Sequence, residues 1–519
     1  MKNIFSNIKK NCSKEIFGLK KLYYIVIFVF IFGLIGHAYG FLDFNFSHDS
    51  SIMVQSDSIW QIMIGRFLQP IYVSIRGELF SPFLVGILSL VYISIAAYLI
   101  TDIFNIKSIG GVILTAGILS TNSVVTLISG TYIYLIDVFM LSLMCSCIGA
   151  YYCIKFKNKN VLAVIFLVIS LGLYQSYWQV AILILMLNLI QDILSKVESR
   201  DILKKTIRYI LILISSIVLY YILMKVFQII YNVSGINSYN SIPSLSTYLD
   251  ITNDIKLIKG AYTGFIRYYI HPSIHKEWLV ALLTIICFSV NGLVIFAGSI
   301  KNKLSFSNYI VLIIITLLLP LGGNIVYVIT QGMEHGLMLY SFFIPYVFCI
   351  AIFENNSIKF KNYTKFLYCS VSIITISILI FNGIIYSNQV YMKKHVEYNY
   401  TYATLNRIIS KIEETDNYDP NTSQVVFIGS LEKSKISTTK KYFNYTDVGL
   451  GGNFAVTYLD TYKSFINNIM GYPMNIVTDE QEIKRIQKNK KVKDLPAFPS
   501  KDYITIVDDK IIVKLSEIE

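Results

Sequence analysis

The sequence MKNIFSNIKKNCSKEIFGLKKLYYIVIFVFIFGLIGHAYG, residues 1–40, decides the class of fold. Residues 1–21 carry six lysines, whereas residues 22–40 contain no Asp, Glu, Lys or Arg. An apolar run of about 20 residues is long enough to cross the hydrocarbon core of a bilayer as a helix. The run is too long for the apolar part of a cleaved signal peptide, and no A-x-A site follows it. The sequence therefore predicts an uncleaved signal anchor.

The composition of the 519-residue chain extends this prediction. Hydrophobic residues make up 54% and charged residues 15%, and the mean hydropathy is +0.57. This balance suits a polytopic helical membrane protein, because it leaves too few polar side chains to cover soluble cores. The net charge of +13 lies mostly in short segments between apolar runs, which indicates contact with a membrane surface and not with nucleic acid. The seven cysteines lie almost all in apolar runs, so neither a disulfide framework nor a zinc site is predicted.

Apolar runs define the predicted topology. Runs long enough to span a bilayer begin near residues 22, 83, 109, 132, 161, 178, 206, 279, 309, 337 and 366. Only GLYQSYW, residues 172–178, separates the runs at 161 and 178, so two short helices and a re-entrant pair both fit there. We expect a polytopic α-helical membrane protein with about 11 transmembrane helices. An ATP-driven pump has no support, since neither a phosphate-binding glycine loop nor an internal repeat occurs.

Lys and Arg residues alternate between the short loops. They are frequent at the N-terminus and near 155–159, 196–208, 301–303 and 359–365, and absent from about 120–131 and 172–178. Loops rich in Lys and Arg remain cytoplasmic, so we expect the N-terminus there and the protein in the cytoplasmic membrane. Residues 1–386 then form a transmembrane domain with extracytoplasmic loops at about 41–82 and 229–277, and residues 387–519 form an extracytoplasmic domain.

Local patterns predict a small α/β or α+β fold for residues 387–519. HVEYNYTYATLNRIISKIEE, residues 395–414, has the spacing of an amphipathic helix. SQVVFIGS, residues 423–430, favours a buried strand, and DYITIVDDKIIVKL, residues 502–515, favours a hairpin that turns at Asp508 and Asp509.

The first outer loop contains HDSSIMVQSDSIWQIMIGRFLQP, residues 48–70. Asp49 could act as the general base toward an acceptor hydroxyl, or it could cap the helix that follows, and His48 beside it is a candidate for binding sugar or acceptor. Asp57 fits the capping role better than the role of a base. A helix lying in the membrane interface is predicted from one apolar stripe: Trp60, Ile64, Phe67 and Ile71.

Two arginines follow in GRFLQPIYVSIRGELFSP, a mostly helical stretch that Pro70 is expected to interrupt. Arg66 and Arg76 could bind the phosphate of a donor, because a guanidinium offers a permanently charged bidentate fork. Both could instead extend to lipid head groups. Arginines beside a span on the extracytoplasmic side are less expected, which favours phosphate contact by at least one of them.

Further polar residues near the outer ends of predicted spans are candidates for binding sugar or acceptor: Asp137, Tyr174, Gln175, Tyr177, Glu334 and His335. Asp137 is either a hydroxyl ligand or a structural group, and it needs a partner on another helix. The tyrosines could stack on sugars or belong to the interfacial aromatic belt, which does not explain Gln175. Glu334 and His335 could form a second acid/base element or a solvated turn.

The order of these motifs resembles the GtrII-type glucosyltransferases, which belong to the GT-C superfamily. The resemblance runs from GRFLQP and IRGELFSPFLVGILSL through IDVFML, GLYQSYWQ and MEHGLMLYSF to VVFIG and DDKIIVKL. It implies a membrane enzyme that transfers a hexose, typically glucose, from a polyprenyl-phosphate carrier to a surface polysaccharide such as O-antigen. Similar enzymes place an acidic residue of the first outer loop at the reaction centre, which here falls on Asp49, with Asp57 second.

The partners implied are the lipid-linked sugar, a polysaccharide or lipid-linked oligosaccharide acceptor, and the bilayer. No cofactor is expected. A divalent metal is compatible with the reaction but not required, because Arg66 can stabilise a single phosphate leaving group. The main alternative is a transporter or flippase for a lipid-linked sugar or oligosaccharide. Such proteins place charges through several spans and often show repeated halves, whereas the polar residues here gather toward one face.

Overall fold

The structure is a computed structural model that describes residues 15–43, 58–77, 81–235, 251–272, 276–354, 362–433, 454–456 and 459–517. The described residues fall into two units. The first lies within Met1–Ala38, Asp57–Ile128 and Leu135–Ser387, and the second within Tyr39–Ser56, Ser129–Tyr134 and Asn388–Glu519.

Helices make up most of the described chain. In chain order they are α1 (Gly18–Leu42), α2 (Ser58–Met63), α3 (Leu68–Arg76), α4 (Pro82–Ile103), α5 (Ile109–Ser120), α6 (Ser123–Thr131), α7 (Ile136–Lys155), α8 (Asn160–Leu173), α9 (Trp178–Leu194), α10 (Ser199–Ile230), α11 (Ile251–Ile270), α12 (Glu277–Lys301), α13 (Phe306–Gly323), α14 (Ile325–Ile329), α15 (Ile344–Glu354), α16 (Asn362–Glu413), α17 (Leu459–Ser464), α18 (Glu480–Gln487) and α19 (Lys490–Lys493). Several begin at local signals of the sequence. The Ser108 hydroxyl accepts a hydrogen bond from the Gly111 amide at the start of α5, and Pro82 opens α4.

Within the described residues, nine helical segments are long and apolar enough to cross a membrane: Gly18–Leu42, Pro82–Ile103, Ile109–Thr131, Ile133–Lys155, Gln175–Leu194, Ser199–Ile230, Glu277–Lys301, Phe306–Gly323 and Phe366–Glu413. Two shorter apolar helical segments, Asn160–Leu173 and Tyr340–Glu354, fall in the other two predicted runs. The predicted class, a polytopic helical membrane protein, agrees with this architecture. The number of spans stays a prediction, because length and composition alone do not show which segments cross.

The segment around Arg66 differs from its prediction. The single interfacial helix is wrong, because the chain breaks between α2 and α3, where Gly65 has a φ of +85°. Phe67 is 1% exposed and stacks on Phe227 with ring centroids 4.8 Å apart, so it packs inside the protein. Pro70 does not interrupt the helix either. It lies in the first turn of α3, where a missing N–H costs no intrahelical hydrogen bond.

The stretch 229–277 was predicted as a hydrophilic loop, yet it contains α11, a helix of 20 residues. Its buried residues recur every four positions: Leu257, Ala261, Phe265 and Tyr269. This side packs against α12, α13 and α14. The loop assignment overlooked the helix because its charged residues lower the mean hydropathy without breaking the helical period.

The second unit contains a four-stranded sheet in the order β2 (Asn475–Ile476), β1 (Gln424–Ile428), β4 (Lys510–Lys514) and β3 (Ile504–Val507). β1 runs parallel to β2 and to β4, and β3 pairs antiparallel with β4. The predicted hairpin is confirmed: Asp508 and Asp509 have φ values of +49° and +57°, as a tight two-residue turn requires. Alternate residues of β1 enter two different cores, one of which contains Leu405, Ile408 and Ile412 of α16.

Candidate functional site

Arg66 lies in the turn between α2 and α3, and contacts from two other elements hold that turn. The Gly65 carbonyl accepts a hydrogen bond from Tyr220 Oη at 3.1 Å. Gln175 Nε2 donates to the Ile64 carbonyl at 2.8 Å and to Tyr220 Oη at 3.1 Å. These two contacts engage both amide hydrogens of Gln175, so its amide nitrogen positions the turn instead of donating to a sugar.

The Arg66 guanidinium lies over the ring of Tyr174, with Cζ 4.8 Å from the ring centroid. Tyr174 is itself fixed, since its ring packs 4.3 Å from Phe139 and its carbonyl accepts a hydrogen bond from Ser142 Oγ at 3.1 Å. Arg66 is half-buried and its Nε has no hydrogen-bond partner. Within the described ranges the guanidinium makes no ion pair. A half-buried permanent cation stacked on an aromatic ring is a suitable ligand for a phosphate.

Glu334 and His335 follow α14 in a turn close to Arg66. Asn324 Nδ2 donates to Glu334 Oε2 at 2.7 Å. Burial raises the pKa of Glu334, and the hydrogen bond from Asn324 opposes this shift. Surrounding protein atoms desolvate the His335 ring and lower its pKa, and the positive charge of Arg66 lowers it further. His335 is thus near enough to Arg66 for the charge of the guanidinium to act on its ring, and the roles of Glu334 and His335 stay predictions.

Tyr177 and Gln179, which follow α8 in the chain, form hydrogen bonds to the segment after His335. Tyr177 Oη donates to the Leu337 carbonyl at 3.4 Å, and Gln179 Nε2 donates to the Met338 carbonyl at 2.8 Å. Tyr177 is 0% exposed. The prediction that Tyr177 stacks on a sugar therefore needs correction, because neither face of its ring is open in this structure.

Arg76, a candidate ligand for phosphate or lipid head groups, and Asp137, a candidate hydroxyl ligand or structural group, contact each other. Arg76 Nη1 lies 2.7 Å from Asp137 Oδ1, and the two side chains are 6% and 0% exposed. Tyr72 Oη and the Val138 amide also donate to the Asp137 carboxylate, each at 3.0 Å. The partner that Asp137 requires on another helix is therefore Arg76. A carboxylate already compensates the Arg76 charge, which leaves Arg66 as the stronger phosphate candidate.

The model of the family described as "Glucosyl transferase GtrII" matches residues 38–348, more than half of the chain. The chain belongs to this GtrII family. The suspected resemblance is therefore confirmed, and with it glycosyl transfer by a membrane protein as the broad activity. No curated protein and no solved structure matches the chain.

The region matched by the GtrII family contains the whole group around Arg66 and ends before the sheet of the second unit. Tyr174, Glu334 and His335 lie in it as well. The predicted acids Asp49 and Asp57 and their neighbour His48 also fall within the match, but they lie outside the described residues. Their roles stay predictions.

Two contacts of the GtrII protein were not predicted from its sequence. In the second unit, His395 Nδ1 lies 2.7 Å from Asp43 Oδ2, with side chains 42% and 24% exposed. In the first unit, Asn324 holds Glu334. A signal existed for Asp43, which directly follows the first apolar run, but nothing local pairs it with a histidine 352 positions away.

The described residues contain no group of three or more His, Cys, Asp or Glu side chains that could hold a metal ion. The prediction that a metal is compatible but not required is untested by this finding, because the acids of the first outer loop are not among those residues.

Proposed function

We propose that this GtrII protein transfers a hexose, glucose in the first instance, from a polyprenyl-phosphate carrier to a cell-surface polysaccharide such as O-antigen, on the extracytoplasmic face of the cytoplasmic membrane. The observation that carries the proposal is the half-buried Arg66 guanidinium, which lies over Tyr174 and has no ion-pair partner in the described part of the chain. Membership of a glucosyltransferase family supplies the sugar chemistry that the cation alone does not indicate.

The phosphate of the donor fits Arg66 for reasons of charge and geometry. A guanidinium can donate two parallel hydrogen bonds to phosphate oxygens, and the Nε atom that lacks a protein partner is one of its donors. As the sugar leaves, negative charge develops on the carrier phosphate, and a fixed cation in a partly desolvated position stabilises that charge. A bound phosphate would also oppose the part of the pKa lowering of His335 that the positive charge of Arg66 causes.

The lipid carrier follows from the topology that we propose. The alternating Lys and Arg loops favour an extracytoplasmic position for the first outer loop and the 334–335 turn. Nucleotide sugars are made in the cytosol, so a transferase acting outside needs a donor borne by a membrane lipid. Arg66 lies two residues before the start of α3 in the loop after the first span, a position that a lipid-linked phosphate can reach.

The reaction that we propose is a single displacement at the anomeric carbon. Asp49, with Asp57 as the second candidate, takes the proton from the acceptor hydroxyl as the hydroxyl oxygen bonds to the anomeric carbon. The bond from that carbon to the phosphate oxygen breaks, and the electron pair leaves with the phosphate held by Arg66. One displacement inverts the anomeric configuration. Glu334, fixed by Asn324, contributes a hydrogen bond to a sugar hydroxyl.

Transfer assays with the full-length protein in liposomes test this function. Radiolabelled polyprenyl-phosphate glucose and the host polysaccharide are supplied, together with a panel of other sugars and acceptors. We expect Arg66→Gln to lower kcat/KM by about 10²-fold to 10³-fold, as for other groups that stabilise developing charge. Arg407→Gln is the matched control, because Arg407 also stacks on an aromatic ring, Phe498, but belongs to the second unit.

Two outcomes would count against different parts of the proposal. No transfer from any donor in the panel by a folded protein would overturn the transferase, whereas full activity of Arg66→Gln would overturn only the phosphate site. In the same assay, an active Asp49→Asn variant would remove the assignment of the base and leave the rest standing.

A further inference from the structure

Helix α11 (Ile251–Ile270) carries two parallel rows of exposed side chains on the side that faces away from the protein. Ile255, Ile258 and Ile266 form an apolar row, with exposures of 62%, 40% and 50%. Lys256, Lys259 and Arg267 form a cationic row, and all three are exposed. Each row has the spacing i, i+3 and i+11, and the rows are offset by one residue, which is about 100° around the helix.

The remaining side of α11 packs against the protein. Leu257, Ala261, Phe265 and Tyr269 are at most 9% exposed. A Cβ added to Gly264 would lie 3.0 Å from Asn324 Nδ2 and 3.1 Å from Glu334 Oε2, so the helix backbone packs directly against the 334–335 turn. Protein contact therefore fixes the rotation of α11, and the two rows point in directions that the fold determines.

The cationic row excludes a transmembrane orientation for α11. Lys256 and Arg267 are eleven residues apart, which is about 16 Å along a helix axis. In a helix that crosses the bilayer, the three cations would lie at three different depths, at least one of them in hydrocarbon, where an uncompensated charge is costly. In a helix parallel to the membrane plane, all three lie at one depth. None of the three has an ion-pair partner within the described chain, so their charges are available to an anion.

We propose that α11 lies flat in the membrane interface, with its isoleucine row in the acyl boundary and its cationic row bound to the head groups of anionic phospholipids. An interfacial helix binds in this way when apolar and basic residues occupy adjoining faces. The charge selects the partner, since a row of cations favours acidic phospholipids over zwitterionic ones by roughly 1 kcal/mol per Lys or Arg near the surface, or about fivefold. This inference does not depend on the transferase reaction.

Site-specific fluorescence quenching in liposomes tests the orientation. A small thiol-reactive fluorophore is attached to Ile255→Cys, Ile258→Cys or Ile266→Cys, and lipids brominated at different acyl positions quench it. Equal depths are expected for all three sites. Ile310→Cys, Ile313→Cys and Leu317→Cys on the candidate span α13, which are 43%, 58% and 63% exposed, are the control and should show a depth gradient of about 10 Å. The parent chain, whose described cysteines are buried or half-buried, is the labelling blank.

The same probe tests lipid selectivity when it is attached at Thr263→Cys, in the cationic row. Brominated phosphatidylglycerol should quench it severalfold more than brominated phosphatidylcholine in an equal mixture. Replacing Lys256, Lys259 and Arg267 together with alanine should bring this ratio close to one. The matched control replaces Lys488, Lys490 and Lys501, three exposed lysines of the second unit, and should leave the ratio unchanged.

Three results would overturn the proposal. A depth gradient of about 16 Å from residue 255 to residue 266 would show that α11 crosses the membrane. An absence of quenching at all three isoleucine sites would show that the helix lies in water. Equal quenching by the two lipids in the unmodified cationic row would remove the anionic phospholipid as its partner.

Discussion

Replacing Arg76 with methionine removes the cation that lies 2.7 Å from the buried Asp137 carboxylate. Asp137 is 0% exposed, so water cannot take the place of the lost guanidinium. Unit charges about 4 Å apart attract each other by roughly 4 kcal/mol at an effective dielectric constant of about 20. Removal of one partner of a buried pair costs about 3–5 kcal/mol in other proteins, and we expect Arg76→Met to reduce the free energy of unfolding by a similar amount.

The double variant Arg76→Met with Asp137→Leu separates charge from packing. Two apolar side chains of similar volume leave no buried charge, so most of the lost stability should return. Lys155→Met is the matched single control, because Lys155 pairs with Asp102 at 3.2 Å but the two side chains are 30% and 37% exposed. Its expected cost is at most about 1 kcal/mol.

Thermal unfolding in detergent measures these differences through thiol exposure. Five buried cysteines become reactive toward a fluorogenic reagent on unfolding: Cys145, Cys147, Cys153, Cys287 and Cys349. We expect the apparent melting temperature of Arg76→Met to fall by about 5 °C or more. The reasoning is refuted if Arg76→Met loses no more stability than Lys155→Met, or if the double variant loses the sum of its two single losses.

Two further predictions concern the neighbourhood of Arg66. Gly65→Ala should destabilise the protein by about 1–3 kcal/mol more than Gly77→Ala, because both residues have positive φ but only the added Cβ at Gly65 would lie 2.5 Å from Tyr220 Oη; equal melting temperatures for the two variants would contradict this. For Glu334→Gln the expected effect depends on pH. Burial raises the pKa of Glu334 in the folded state, so the stability of the parent relative to the variant is highest in acid and is lost as pH rises from the ordinary glutamate range through the higher folded pKa. The same difference in melting temperature between parent and variant at every pH would contradict this prediction. Asn324 can hydrogen-bond to glutamate or to glutamine, so that bond does not by itself make the difference depend on pH.

The helices of the transmembrane part were predictable from the sequence because their signal is local. A run such as residues 22–40 has apolar side chains that can enter lipid, and in lipid a helix is the structure that satisfies every backbone N–H and C=O group within one segment. The hairpin at Asp508 and Asp509 was predictable for a similar reason. Two residues that tolerate positive φ, flanked by alternating apolar residues, specify a tight turn without help from the rest of the chain.

Breaks within helical patterns were harder to predict. The stripe from Trp60 to Ile71 has helical spacing, but Gly65 adopts a φ of +85° because Tyr220 and Gln175 bind the backbone there. Propensity at Pro70 pointed to the wrong position for the break. The tertiary contacts outweigh a local preference worth only about 1 kcal/mol per residue.

By itself, the sequence determined which segments are apolar enough to cross a membrane, which loops carry the positive charge, and that Arg66, Glu334 and His335 are exceptional in their surroundings. Tertiary structure alone decided which charges are compensated. Arg76 pairs with Asp137, 61 positions away, whereas Arg66 lies over Tyr174 with no carboxylate beside it in the described structure. The two arginines have the same chemistry and similar neighbours in sequence. They differ in the helix that packs against each of them, and that choice depends on the fit of whole helix surfaces and not on any local pattern.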